Sequence, residues 1–368
     1  MKKEIIIYIT TIILGMMFIF FGHQFLANKK INFDNMGITL EKALVTRVEP
    51  EDSNSQIKFS FFFSEGDNED LQQGVQDNTS KSSIPLKIND KILVGKDSTM
   101  NTYMFYDYYR IDHLIGVLIF FLILVIAFGR FKGFNTIISL VFTLLSLFYI
   151  FLPAVLAGQS VYLVGAIVLL AILLFTLIIV HGANLKSLGS GIATILGILF
   201  AALVMVIASK LLFFTGISGE DAMYLKLNNQ GINYDIKAIF FISIIMGGLG
   251  AIMDVAISIA SAINELVDNN PLITFKEMMV SGFKIGQDIL GTMVNTLVLA
   301  YVSSSFFTIL VVIAYNNDLI QIFNKEFLLA NIFEPLIGCF GIVATLPITA
   351  IVCAYLFSKI KGSNHHHH

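Results

Sequence analysis

Runs of about 20 apolar residues recur along this chain, and no other feature limits its fold so severely. A run of that length spans the ~30 Å hydrocarbon core of a bilayer as a helix, which satisfies its own backbone groups where water is absent. Eight such runs stand out, at residues 5–26, 112–129, 135–157, 161–181, 188–214, 237–263, 289–315 and 330–357. Composition agrees, with 56% hydrophobic and 13% charged residues, against about 25% charged in a soluble domain. The expected fold is an α-helical polytopic membrane protein with about eight transmembrane helices. The first run lies between MKKE and HQFLANKK and has no small-residue cleavage site, so residues 1–26 read as an uncleaved transmembrane anchor. A formal net charge of −3 argues against a nucleic-acid partner. The closing SNHHHH reads as a truncated affinity tag, which sets residues 362–368 aside.

The distribution of Lys and Arg sets the orientation. With the N-terminus inside, the inner set is Lys2, Lys3, Arg130, Lys132, Lys186, Lys276, Lys284, Lys359 and Lys361. The short outer loops hold only Lys226, Lys237 and Lys325. Both termini are therefore expected in the cytoplasm, with residues 27–111 on the far side of a plasma membrane and residues 112–361 forming a seven-helix core. Residues 27–111 contain the strand-like pieces ALVTRV, QIKFSFFF, IPLKI and KILVG, which suggest a small β-rich domain between helices 1 and 2. Asn89-Asp90 suits a tight hairpin turn, and SEGDNEDLQQGVQDNTSKSS reads as a mobile acidic loop. The tyrosines of YMFYDYYR suit the headgroup layer. Cys339 and Cys353 lie about 21 Å apart along one helix, so they cannot pair and read as small buried apolar residues.

One span carries a charge near its middle. GGLGAIMDVAISIASAINEL places Asp254 where ionisation costs roughly 2.5–3.5 kcal/mol on the most lenient scale. Asp254, Ser258, Ser261 and Glu265 follow at i, i+4, i+7 and i+11, so they share one helix face. Ile252, Val255, Ile259 and Ile263 lie opposite and are expected to face lipid. The next span repeats the pattern with Asp288, Thr292 and Asn295, Asp288 being expected near the inner headgroups. Before it, Thr274 and Glu277 form a capping box ahead of Phe275, Met278, Met279 and Phe283, which suggests a short amphipathic surface helix. Glu334 opens the last span, and Pro347 between Thr345 and Thr349 is expected to kink or break it. The structural alternative is that Asp254 is a hydrogen-bond acceptor between helices, that the serines only pack, and that Lys284 pairs with Asp288.

These same stretches, with FKIGQDILGTMVNTLVLAYV, HGANLKSLGSGIATILG and EPLIGCFGIVATLPITA, resemble the YibE/F family of bacterial multi-spanning membrane proteins. The resemblance covers residues from about 110 to 357 and extends more weakly to LKINDKILVG. It implies a permease of unassigned substrate in a bacterial plasma membrane, with a homo-oligomer or a hetero-oligomer with a family paralogue as the expected assembly. The residues suggest a transporter or channel for a small cation. Carboxylates, hydroxyls and amides are oxygen ligands, which suit H⁺, Na⁺ or a hard divalent metal. Asp254 and Asn295 are the candidate metal ligands, and Ser258, Ser261, Glu265, Asp288, Thr292, Glu334 and Pro347 complete the candidate pathway. A bound cation is conceivable, but no organic cofactor is expected. An envelope scaffold that recruits a partner through residues 27–111 is the alternative. No HExxH or GxSxG motif is present, so no enzyme is expected.

Overall fold

A computed structural model describes residues 2–27, 40–50, 56–64, 71–77, 86–96, 103–227, 232–315 and 318–364. The chain divides into two compact units, residues 32–130 and residues 1–31 with 131–368.

The smaller unit contains a closed barrel of five strands: β1 (Leu40–Val48), β2 (Gln56–Phe63), β3 (Gln72–Asp77), β4 (Lys91–Lys96) and β5 (Tyr103–Tyr108). The order round the barrel is β1-β2-β3-β5-β4. All neighbours are antiparallel except β3 and β5. Alternating residues Ala43, Val45, Phe59, Phe61, Ile92 and Val94 fill its interior, as the period of a strand requires. Asn89 takes the left-handed conformation (φ 73°) in the expected turn, and the Asp90 carboxylate accepts the Lys87 N–H at 2.7 Å. Leu86 and Lys87 of IPLKI are not strand; Leu86 instead packs into the barrel core.

One expectation for this region is corrected. The polar stretch taken for a mobile loop contains β3, paired on both sides. A Cβ at Gly74 would stand 2.6 Å from the Phe59 ring, so this strand gives up a side chain to accommodate an aromatic one. YMFYDY forms strand β5. Arg110 Nη1 donates to Asp107 at 2.7 Å, and that guanidinium, followed by the Tyr108 N–H, holds the Asp107 carboxyl below its usual pKa.

The helices are α1 (Lys2–Ala27), α2 (Ile111–Ser146), α3 (Leu152–Leu156), α4 (Val161–His181), α5 (Leu185–Leu211), α6 (Glu220–Leu227), α7 (Ile236–Asn269), α8 (Phe275–Ser304), α9 (Phe306–Tyr315), α10 (Leu319–Phe323) and α11 (Glu326–Asn364). Among the described residues, 7 helical stretches are long and apolar enough to cross a membrane. The expected spans at 112–129 and 135–157 lie on either side of a kink within the apolar stretch Ile111–Leu156, the second passing through a π turn at Leu147–Phe151 into α3. A single non-helical residue, Arg130 (φ 48°, ψ −128°), separates them.

Within the larger unit, α11 packs against α5, α7 and α8, and α7 also meets α4. Small residues permit the close approaches. A Cβ at Gly248 of α7 would lie 3.4 Å from the Cα of Gly338 on α11. A Cβ at Gly286 of α8 would lie 2.5 Å from Leu346 and 3.0 Å from Ile259. Without a hydrophobic driving force in lipid, such close packing is what holds helices together.

Candidate functional site

The helix that carries Asp254 starts under an aspartate cap, with Asp235 accepting the Ala238 N–H at 2.9 Å. Its Ile252, Val255, Ile259 and Ile263 are buried to 1%, 0%, 0% and 0% exposure. This reverses the expected facing. The isoleucines pack inward because glycines on α8 and α11 open slots for them: Ile252 meets Gly341, Ile259 meets Gly286, and Ile263 meets Gly282. The polar stripe therefore turns away from the helix core. Asp254 and Glu265 are exposed, and Ser258 and Ser261 are half-buried. Asp254 makes no hydrogen bond or ion pair with any described residue. Glu265 accepts from the Asn269 amide at 3.2 Å.

The amphipathic segment beyond Pro271 is not a separate surface helix. It is the first part of α8, whose 30 residues run unbroken from Phe275. The expected capping box is present, with the Thr274 N–H donating to Glu277 at 2.8 Å and the Glu277 N–H to Thr274 Oγ1 at 3.3 Å. Met278, Gly282 and Gly286 press that segment onto the core.

Three contacts give the register between these antiparallel neighbours: Ile263 with Gly282, Ile259 with Gly286, and Gly247 with the Tyr301 hydroxyl. Counting along both helices places residue 254 level with 291–294. Asp288 is thus one to two turns from the height of Asp254, about 5–9 Å along the axis. Asp288, Thr292 and Asn295 are exposed, and the Thr292 hydroxyl donates to the Ile289 carbonyl at 2.8 Å. Nothing lies within 4 Å of where a Cβ would stand on Gly250 or Gly291, so both helices are open beside the stripe.

The expected break at Pro347 is absent. The proline is half-buried in the continuous α11, where the Thr349 hydroxyl donates to the Thr345 carbonyl at 2.7 Å. Thr345 Oγ1 is buried without a partner, pressed against Gly197 of α5. The helix break falls instead after α8, at Ser305 (φ −100°, ψ 7°). There Ser305 Oγ donates to Asn331 Oδ1 at 2.9 Å, and Asn331 Nδ2 is buried with no partner. Glu334, half-buried one turn further along α11, lies close enough to Tyr301 to interact with it electrostatically. The Tyr301–Ser305–Asn331 grouping was not anticipated, although the run SSS with Asn331 and Glu334 at i, i+3 was a usable signal.

The site-bearing helices thus present two polar groupings. One comprises the exposed polar faces of α7 (Asp254) and α8 (Asp288, Thr292 and Asn295), at similar heights with no hydrogen bond between them among the described residues, and the other gathers Tyr301, Ser305, Asn331 and Glu334 at the helix break. Among the described residues no three His, Cys, Asp or Glu side chains come together as a metal cage. A cation at Asp254 would be held by that one carboxylate and neutral oxygens, a set suited to H⁺ or a hard ion.

Seven long apolar helical stretches among the described residues, in a chain that also forms a strand barrel, define a polytopic membrane protein. Residues 117–359 match the family described as YibE/F-like protein, and the chain belongs to that family. No curated protein and no solved structure matches the chain.

Proposed function

We propose that the protein is a transporter or channel for a small cation, with a pathway along the polar stripe of α7 and α8 and the neighbouring α11. The observation that carries this reading is Asp254 itself. It lies mid-helix in a 34-residue apolar helix, with no hydrogen bond or ion pair to any described residue to explain it structurally. A packing role would demand a partner, and none of the described residues supplies one. An acid at mid-span without a partner among the described residues is suited to binding and releasing a proton or a hard cation. Asn295, Thr292 and Ser258 supply neutral oxygens on the same helices, and Asp288 adds negative potential one to two turns away. The Lys and Arg bias supports cytoplasmic termini, so the strand barrel would lie outside. The reading involves no chemical transformation of substrate.

The test is flux into proteoliposomes holding the purified protein, screened with H⁺, Na⁺, K⁺, Mg²⁺ and Mn²⁺, beside Asp254→Asn. That substitution keeps shape and removes ionisation. Flux of one ion, lost in the variant, is the expected result. Equal flux in a well-folded Asp254→Asn protein would remove the site. The closed barrel favours a second reading, an envelope scaffold that recruits a partner through this domain. That reading expects no ion flux and full activity of Asp254→Asn.

A further inference from the structure

One face of α8 is covered by no other described residue of the larger unit. Lys284, Gln287, Asp288, Gly291, Thr292 and Asn295 recur at i, i+3, i+4, i+7, i+8 and i+11, and all are exposed. The opposite face, with Met278, Gly282, Gly286 and Leu297, is the one pressed onto α7 and α11. The register with α7 puts residues 291–294 level with Asp254, so the uncovered face runs through the hydrocarbon rather than past it. Lipid tails offer no partner to carboxamides, hydroxyls or charges. Something other than lipid covers this face.

The chemistry of the face says what fits it. Gln287 and Asn295 carry both donors and acceptors, so each can pair with its own copy. Lys284 and Asp288 have opposite charges one turn apart, and neither forms an ion pair with another described residue. Gly291 leaves the space of a side chain empty at the middle of the face. We infer that a second copy of this chain docks in parallel along this face of α8, about a two-fold axis normal to the membrane. Lys284 of each copy reaches Asp288 of the other, and Asn295 meets Asn295. Residue i meets j and j meets i, as an isologous contact requires. Two backbones approach at Gly291, as small residues allow in membrane helix pairs.

The interface stands on the polarity of α8 alone and does not depend on the cation reading. Combined with that reading, it places the pathway at the junction of two copies, with Asp254 facing a polar seam instead of lipid.

Disulfide trapping in native membranes tests the contact. The background is Cys339→Ala with Cys353→Ala, and single cysteines are placed by Asn295→Cys, by Gly291→Cys, and by Ile167→Cys on the exposed apolar face of α4. Oxidation is expected to give a dimer-mass band for Asn295→Cys and Gly291→Cys but not for Ile167→Cys. Lys284→Asp should lower trapping at Asn295→Cys, and Lys284→Asp combined with Asp288→Lys should restore it, which a general folding defect would not do. Monomer mass in lipid nanodiscs by light scattering, with no trapping at 291 or 295, would overturn the proposal. So would trapping to a different protein, or equal trapping at Ile167→Cys. Ion flux is not read in this experiment, so failure of the cation reading leaves its result intact.

Discussion

Replacing Asp254 by leucine should make the protein more stable while abolishing its transport. At the centre of a membrane helix, insertion scales assign Asp about +2.5 to +3.5 kcal/mol and Leu about −0.3 to −0.6 kcal/mol. The difference favours Leu by about 3–4 kcal/mol. A buried hydrogen-bonded carboxylate would offset that gain when removed, but Asp254 has no hydrogen bond or ion pair with any described residue to lose. Its side chain is exposed, so the larger leucine overpacks nothing. Where a second copy keeps the stripe wet, the gain is smaller, because the carboxylate is then solvated. The assay is thermal unfolding of purified wild type, Asp254→Asn and Asp254→Leu in the same detergent, with vesicle flux measured in parallel. The expected order of stability is wild type, then Asn, then Leu, with flux lost in both variants. A loss of more than about 1 kcal/mol in Asp254→Leu would refute the reasoning, since it would reveal a partner that Asp254 holds in the fold.

Three further outcomes follow from the packing and the charges. Gly286→Leu drives a side chain into Leu346 and Ile259 and should cost at least about 1–3 kcal/mol, read as a lowered unfolding temperature; an unchanged value would mean that α8 does not sit in this register. Gly74→Val should disrupt the barrel through the Phe59 ring by a similar amount, seen as loss of the far-ultraviolet strand signal of the domain on heating. The pKa of Asp107 is depressed by Arg110, so its contribution is present above the unfolded value near 3.9 and lost as pH falls through the lower folded value. Acid titration of the unfolding temperature should therefore show a slope only at the acid end, a slope that Asp107→Asn reduces; because the pair is exposed, the effect should be small.

The spans were legible because hydrocarbon imposes length and apolarity on any helix that crosses it. QIKFSFFF was legible as β2 because alternating aromatics fit a half-buried strand. QQGVQD was not, because β3 carries polar side chains and a glycine whose value lies in the Phe59 ring beside it. The spacing of Asp254, Ser258, Ser261 and Glu265 correctly gave a single face, but periodicity alone does not say which face has neighbours. That information was held by other helices, in Gly282, Gly286 and Gly341, which make room for the isoleucines opposite. The start of α8 was misread for a related reason. Phe275 to Phe283 has the apolar spacing of a surface helix, and only Met278 and Gly282 meeting the core distinguish it from one. Pro347 failed as a break signal because the packed α5 and α7 hold α11 in line, whereas Ser303, Ser304 and Ser305 end a helix with little beside it.

The central claim is that the Asp254 carboxyl takes up and releases the transported cation. Infrared difference spectroscopy of the protein in lipid, with and without the ion that supports flux, reads that carboxyl directly. A carboxyl band that shifts on ion addition or with pH, and is absent from Asp254→Asn, is the predicted result. Identical difference spectra for wild type and Asp254→Asn across all ions and pH values would contradict the claim.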